Sequence, residues 1–408
     1  MGINRGRRVT SMRSWGTVVV AMISSGVFVL GVLWGYPPFS AFRPTSTVLS
    51  LDQGPGCHAL GISGNAEWDR YSSDEYVQAL RETRALGAGR VRIGANWGEI
   101  ETEPGRRRWE ALDERVRIAR QAGLDPLLVL QTVPSWVTIP SGPTSPEHLR
   151  LAEGFGDFAH AVAARYGDDV DAYEVWNEPN LPRFWPEPDV THYLEFLRAA
   201  YGAIHRADPG ATVITGGLAP APDANGSIAP LTFLQRLYDL GGREYLDAIG
   251  MHPYSYPEMP SGTSVWNTFR SLKDVKRLMA SRGDWGKKIW ITEYGAPTGG
   301  SNGVSPDAQA AMIVEAYRLA AEDPMLGPVF VYTMIDGGAP KWDPEFHFGL
   351  YYVDQTPKPA VRALQDAVVD CPVRDYDAEV PPPAGPHPGD SLPSAPGAGS
   401  MQLPGLGS

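Results

Sequence analysis

Val170-Asp171-Ala172-Tyr173-Glu174-Val175-Trp176-Asn177-Glu178-Pro179-Asn180 reads as a short apolar strand that stops at Asn177-Glu178-Pro179. A carboxylate therefore sits where the strand gives way to a loop, an odd place to leave one for structural reasons alone. A second stretch repeats the design: Lys288-Ile289-Trp290-Ile291-Thr292-Glu293-Tyr294-Gly295-Ala296-Pro297 is again a strand capped by a glutamate. Glu178 and Glu293 are expected to face each other across one pocket.

Working outward, residues 57 to about 370 alternate short apolar runs with amphipathic helical patterns. The runs are Ala59 to Ser63, Arg90 to Ala95, Pro126 to Thr132, Ala172 to Asn177, Thr212 to Gly217, Ala248 to His252, Lys288 to Glu293 and Val329 to Ile335. Helical patterns between and after them include Ser73 to Leu86, Glu147 to Tyr166, Ser305 to Ala320 and Pro359 to Val369. Ser73-Asp74-Glu75 and Ser305-Pro306-Asp307 carry helix-start chemistry, a hydroxyl before the helix and, in the second, proline at its first position. Repeated strand-then-helix units imply a parallel sheet, and eight of them match an α/β fold of the closed (β/α)8 TIM barrel type. A doubly wound open sheet is the runner-up, but no Gly-rich phosphate fingerprint follows the first strand.

The chain has 408 residues, 43% hydrophobic, enough for one catalytic domain over residues 57–376. A net charge of -12 argues against nucleic acid as a partner, since that affinity rests on cationic neutralisation of phosphates. Arg5, Arg7, Arg8 and Arg13 precede an uncharged run, Ser14 to Phe42, whose most apolar part is Val18 to Trp34. That pattern predicts an export signal or membrane anchor over residues 1–42, followed by a linker over 43–56. Everything after the segment is placed outside the cytoplasm, membrane-anchored or secreted. The two cysteines, Cys57 before the first strand and Cys371 after the last helix, suit a disulfide there. Residues 377–408 are dominated by Pro, Gly, Ser and Ala, which cannot bury enough surface to fold, and are expected to be a disordered tail.

In a barrel of this kind the active site forms at the C-terminal ends of the strands, where Glu178 and Glu293 both fall. Strict alternation places Glu174, Trp176 and Glu178 on one face of the fourth strand, and Ile289, Ile291 and Glu293 on one face of the seventh; these are the expected inward sets. Two carboxylates flanking one bond are what glycoside hydrolysis requires. Trp176-Asn177-Glu178-Pro179 together with Ile291-Thr292-Glu293-Tyr294-Gly295 resembles the retaining glycosidases of clan A. The likeness is greatest to glycoside hydrolase family 39 and its bacterial exopolysaccharide-degrading relatives, and it covers about residues 57 to 370. The resemblance implies that Glu178 is the general acid/base, Glu293 the nucleophile and Asn177 a ligand of the sugar 2-hydroxyl. It also implies that Arg92 lies near the nucleophile, that His252 and Tyr254 form the sixth-strand pair, and that Tyr254 touches Glu293. Many clan members end the eighth strand with a tryptophan, whereas Tyr332-Thr333-Met334-Ile335-Asp336 offers none.

Glu174, deep in the barrel, is read as a structural partner for an arginine, because an unpaired charge there is costly. Trp97, Trp136 and Trp185 follow the second, third and fourth strands and are candidate sugar contacts; Trp266 and Trp342 rank below them. Asp336, Lys341 and His347 are candidates for the rim. The histidines show no metal spacing such as H-E-x-x-H, so neither a catalytic metal nor another cofactor is expected. The reading is a monomeric, retaining glycosidase acting on a polysaccharide or oligosaccharide. Its alternatives are a transglycosylase using the same two glutamates and a carbohydrate-binding barrel without chemistry.

Overall fold

Eight parallel strands close on themselves in sequence order, with the first pairing both the second and the eighth. The structure, a computed structural model, describes residues 57–371 apart from 65–67, 69–70, 138–144 and 339. The strands are β1 Cys57–Ser63, β2 Ala88–Asn96, β3 Asp125–Gln131, β4 Ala172–Asn177, β5 Thr212–Gly217, β6 Ala248–Met251, β7 Lys288–Tyr294 and β8 Leu326–Tyr332. Around them run α1 Ser73–Ala85, α2 Trp97–Ile100, α3 Glu110–Gln121, α4 Pro146–Tyr166, α5 Val190–Ala207, α6 Pro230–Asp239, α7 Thr268–Ser281, α8 Pro306–Glu322 and α9 Pro359–Ala367. This is the expected (β/α)8 barrel. The short α2 was not expected, and β8 ends at Tyr332 rather than Ile335.

The helices begin where side chains can satisfy their free N–H groups. Ser72, one residue before the expected cap, accepts from Glu75 N–H, and the Glu75 carboxylate accepts from Ser72 N–H in return, completing a capping box. Ser145 and Ser305 accept from His148 N–H and Ala308 N–H ahead of Pro146 and Pro306, whose missing N–H costs nothing in a first turn. Each such cap stabilises its helix by about 1 kcal/mol.

Two cores result. One lies between strands and helices. The other fills the barrel with Leu127, Ala172, Ile214, Ala248, Trp290 and Phe330, one from each of β3 to β8. Gly61 on β1 makes room for it, since a Cβ there would sit 2.4 Å from the Phe330 ring. Further along the same strands the filling turns polar, and that layer supports the site described below.

Cys57 and Cys371 form the expected disulfide, joining residues 314 apart in sequence across the start of β1 and the end of the described chain. Closing so long a loop restricts the unfolded chain, and removing the bridge is expected to cost on the order of 3–5 kcal/mol. A Cys57→Ser/Cys371→Ser variant should therefore melt several degrees lower than the oxidised protein by calorimetry; an unchanged Tm would contradict this. No helix among the described residues is long and apolar enough to cross a membrane. The expected export segment 1–42, linker 43–56 and tail 377–408 lie outside the described residues.

Candidate active site

β4 does not alternate to its end. Trp176 and Glu178 adopt φ of 74° and 45°, the left-handed region that bulky residues rarely occupy at a cost of about 1–3 kcal/mol. The neighbouring strand accommodates the kink because residue 216 is glycine: a Cβ there would lie 2.8 Å from the carbonyl oxygens of Val175 and Trp176. The consequence corrects the expected parity. Trp176 turns away from the barrel to pack against Phe155, Trp185 and Phe196, while Asn177 and Glu178 both reach the mouth.

β7 departs from alternation in a different way. Trp290 fills the barrel, whereas Ile289 and Ile291 belong to the core beneath the helices, the reverse of the expected assignment. Its register against β8 then shifts, with Ile291 opposite Val329 and Tyr294 opposite Val331, so β7 carries an extra residue. A bulge of this kind lets two successive side chains, Thr292 and Glu293, both face the site.

Arg92 is the hub. Its Nε donates to Glu174 Oε2 at 2.6 Å, Nη1 to Glu293 Oε1 at 2.5 Å and Ser63 Oγ at 3.2 Å, and Nη2 to Asn177 Oδ1 at 2.8 Å. Glu174 is thus the arginine partner read from the sequence. The Tyr254 hydroxyl donates to Glu293 Oε2 at 2.8 Å, as the resemblance implied. His252 is fully buried and bridges the glutamates, its Nδ1 lying 2.9 Å from Glu178 Oε1 and 3.6 Å from Glu293 Oε2. Gly217 packs against that ring so tightly that a Cβ would come within 2.1 Å of Nε2.

These contacts set the charges. Burial by itself would push the Glu293 carboxyl up, but His252, Arg92 and the Tyr254 hydroxyl overcome it and hold Glu293 below the usual carboxylate range. Burial would likewise lower the His252 imidazole, yet the charge of Glu293 and the bond to Glu178 raise it, with Arg92 opposing. Tyr254 is pushed far up by burial and by Glu293, so its phenol remains a donor. Removing the hub should be severe: Arg92→Leu leaves Glu174 and Glu293 buried without their cation. The expected loss is about 3–5 kcal/mol in denaturant unfolding, and a loss under 1 kcal/mol would contradict the assignment.

The candidate tryptophans separate. Trp97 is only 3% exposed, stacked on Phe158 and edge-on to Phe155 with its indole N–H donated to Glu101, so it belongs to the helix layer. Trp185, 8% exposed, is packed against Trp176, Tyr193 and Phe196. Neither presents a face to a sugar. Trp136 remains, 39% exposed on the loop after β3, and it is joined by Trp342 at 75% on the loop after β8 and Trp266 at 45% on the loop after β6. Asp336 does not reach the rim, because it is buried against Lys358, whose ammonium also donates to Thr298 Oγ1 and the His347 carbonyl.

Sequence reasoning missed three residues. Thr292 was assigned outward by strict alternation. At the end of β8, Tyr332 packs on Phe348, which in turn packs on Tyr254, and the Tyr332 hydroxyl donates to Glu345 Oε1 at 2.6 Å. Glu345 lies 13 residues beyond Tyr332 in the short 3-10 helix Pro344–His347, so no strand pattern could have announced it.

Among the described residues, Glu178, His252 and Glu293 each offer an atom within 4.8 Å of the other two. Arg92 and Tyr254 already occupy Glu293, and the Glu178 and His252 atoms bond each other, so we assign no metal there. No protein-family model matches the chain, and no curated protein is similar to it by sequence. Solved structures are similar to it in fold. A family 39 glycoside hydrolase from Bacteroides cellulosilyticus WH2 superposes with a TM-score of 0.62 at 24% identity, over 76% of this chain and 63% of that one. This chain therefore spans less than two thirds of that enzyme's length. A GH5_18 enzyme from Streptomyces cattleya in complex with GlcNAc gives 0.59 at 18% identity, over 78% and 80% of the two chains. A monomeric beta-xylosidase from Caulobacter crescentus CB15 gives 0.58 at 21%, over 77% and 68%. What these structures share with the chain is the fold, the closed (β/α)8 barrel.

Proposed function

We propose that the protein is a retaining glycoside hydrolase in which Glu293 is the nucleophile and Glu178 the acid/base. The observation that carries this is the convergence of the two carboxylates: oxygens of Glu178 and Glu293 come within 4.8 Å. Retaining enzymes hold the pair at about 5–5.5 Å, whereas inverting enzymes need about 6.5–9.5 Å to admit a water between them. The unequal surroundings of the pair support the division of labour. Glu293 accepts from a guanidinium and a phenol, which keep it ionised for attack.

In the first half-reaction a Glu293 oxygen bonds to the anomeric carbon as the glycosidic bond breaks, and Glu178 gives its proton to the departing oxygen. In the second, Glu178 takes a proton from water, whose oxygen bonds to the anomeric carbon while the ester to Glu293 breaks. Asn177, whose Oδ1 accepts from Arg92, is read as the ligand of the sugar 2-hydroxyl. The substrate is a polysaccharide or oligosaccharide, a reading supported by exposed Trp136, Trp266 and Trp342 on three loops that follow strand ends. The disulfide supports an extracytoplasmic location, anchored or secreted through the N-terminal segment.

A fluorosugar or cyclophellitol-type probe followed by peptide mapping tests the assignment. Labelling on Glu293 that disappears in Glu293→Gln is expected. Glycan binding with no labelling across a broad probe panel would favour a carbohydrate-binding barrel instead.

A further inference from the structure

Thr292 and Glu174 lie one hydrogen bond beyond the residues given roles above. The Glu174 carboxylate accepts from Arg92 Nε at 2.6 Å, from Gly217 N–H at 2.8 Å and from the Thr292 hydroxyl at 2.9 Å. A threonine hydroxyl has one proton, and here it is committed to Glu174. The same Thr292 oxygen lies 3.1 Å from His252 Nε2 and has only lone pairs left to offer, so Nε2 must carry the hydrogen. In a neutral imidazole Nδ1 is then a bare acceptor, and it is aimed at Glu178 Oε1, 2.9 Å away.

We propose that Thr292 and Glu174 are positioning residues that fix His252 in its Nε2–H form, so that His252 Nδ1 and Glu178 hold one proton between them. This rests on the reading of Glu178 as the acid/base. The proton sits on Glu178 and is donated to Nδ1, or it sits on Nδ1 and is donated to the Glu178 carboxylate. In either position it is the proton that leaves with the sugar's departing oxygen, and the water of the second half-reaction replaces it. The groups facing His252 favour keeping it: Glu174 from β4, Glu178 just past its end and Glu293 from β7 are carboxyls, with Arg92 from β2 the opposing cation and the Tyr254 phenol nearby. The raised imidazole agrees with that balance. With the opposite tautomer, Nδ1–H would donate to an ionised Glu178, and that proton could leave only by making an imidazolate, because Nε2 would carry no hydrogen.

The test uses the full chain labelled with 15N-histidine, the His252 signals being those lost in His252→Asn. Wild type and Thr292→Ser should show His252 protonated at Nε2. Thr292→Val, which keeps the shape but not the acceptor, should shift the ring to Nδ1–H and lower the basic limb of the kcat/KM pH profile by about one pH unit. A wild-type ring protonated at Nδ1 and bare at Nε2 overturns the proposal, as does a Thr292→Val protein with unchanged tautomer and basic limb. Should Thr292→Val not fold, the wild-type and Thr292→Ser spectra still decide. With the tautomers as expected but no glycoside cleaved by wild type, the hydrogen-bond assignment stands and the hydrolase reading falls.

Discussion

Replacing Glu293 by glutamine should lower kcat/KM roughly 10^4-fold or more, because an amide cannot form the glycosyl ester on which the proposed double displacement depends. Glutamine keeps the volume and one acceptor for Arg92 Nη1, so the fold is expected to survive and substrate still to bind. In the proposed mechanism the ionisation of Glu293 also sets the acid side of the wild-type profile. Its carboxyl is held below the usual range, so the acidic limb of kcat/KM should fall below that range too. The sign for stability follows by linkage. A depressed carboxyl contributes stability that is present above its unfolded pKa and is lost as pH falls through its folded one. Residual activity of a tenth or more in Glu293→Gln, measured on a cleaved glycan, would sink the nucleophile assignment.

Glu178→Ala should separate the two half-reactions. On an unactivated glycan, loss of the proton donor should cost about 10^2- to 10^4-fold. On an aryl glycoside whose leaving group needs no proton, glycosylation of Glu293 should persist while hydrolysis of the intermediate stalls for want of a base. Azide needs no base and should restore turnover. The product should be a glycosyl azide of the same anomeric configuration as the substrate, because two displacements at the anomeric carbon retain it. An azide of inverted configuration, seen by proton NMR, would exclude the covalent route. The alanine also removes the partner of His252 Nδ1, so the basic limb should vanish from the profile on such substrates.

How far the strands could be read depended on what each residue had to satisfy. Eight buried strands announce themselves because each must be apolar on both faces, and the helices between them because each needs one apolar stripe and a cap. Glu178 and Glu293 were legible for the opposite reason, as charges at the ends of apolar runs, and Glu174 as a buried charge requiring a cation. Alternation, extended to the strand ends, placed Trp176 and Thr292 on the wrong faces. It fails there because φ of 74° at Trp176 and the bulge on β7 each change the period by one residue. Trp97 and Trp185 illustrate a second limit. A tryptophan just past a strand satisfies either a sugar or a gap between helices, and only the neighbouring Phe155, Phe158 and Phe196 decide for the gap.

By itself, then, the sequence determined the barrel, the disulfide partners and the two opposed glutamates, because each follows from local pattern, strand order or a lone pair of cysteines. Only the tertiary structure decided what surrounds those glutamates. Arg92 on β2 joins Glu174 and Asn177 on β4 to Glu293 on β7, and Thr292 and His252 add a chain of directed hydrogen bonds between β7, β6 and β4. Such bonds depend on distances of about 3 Å between strands far apart in sequence, and no one-dimensional pattern encodes which donor meets which acceptor.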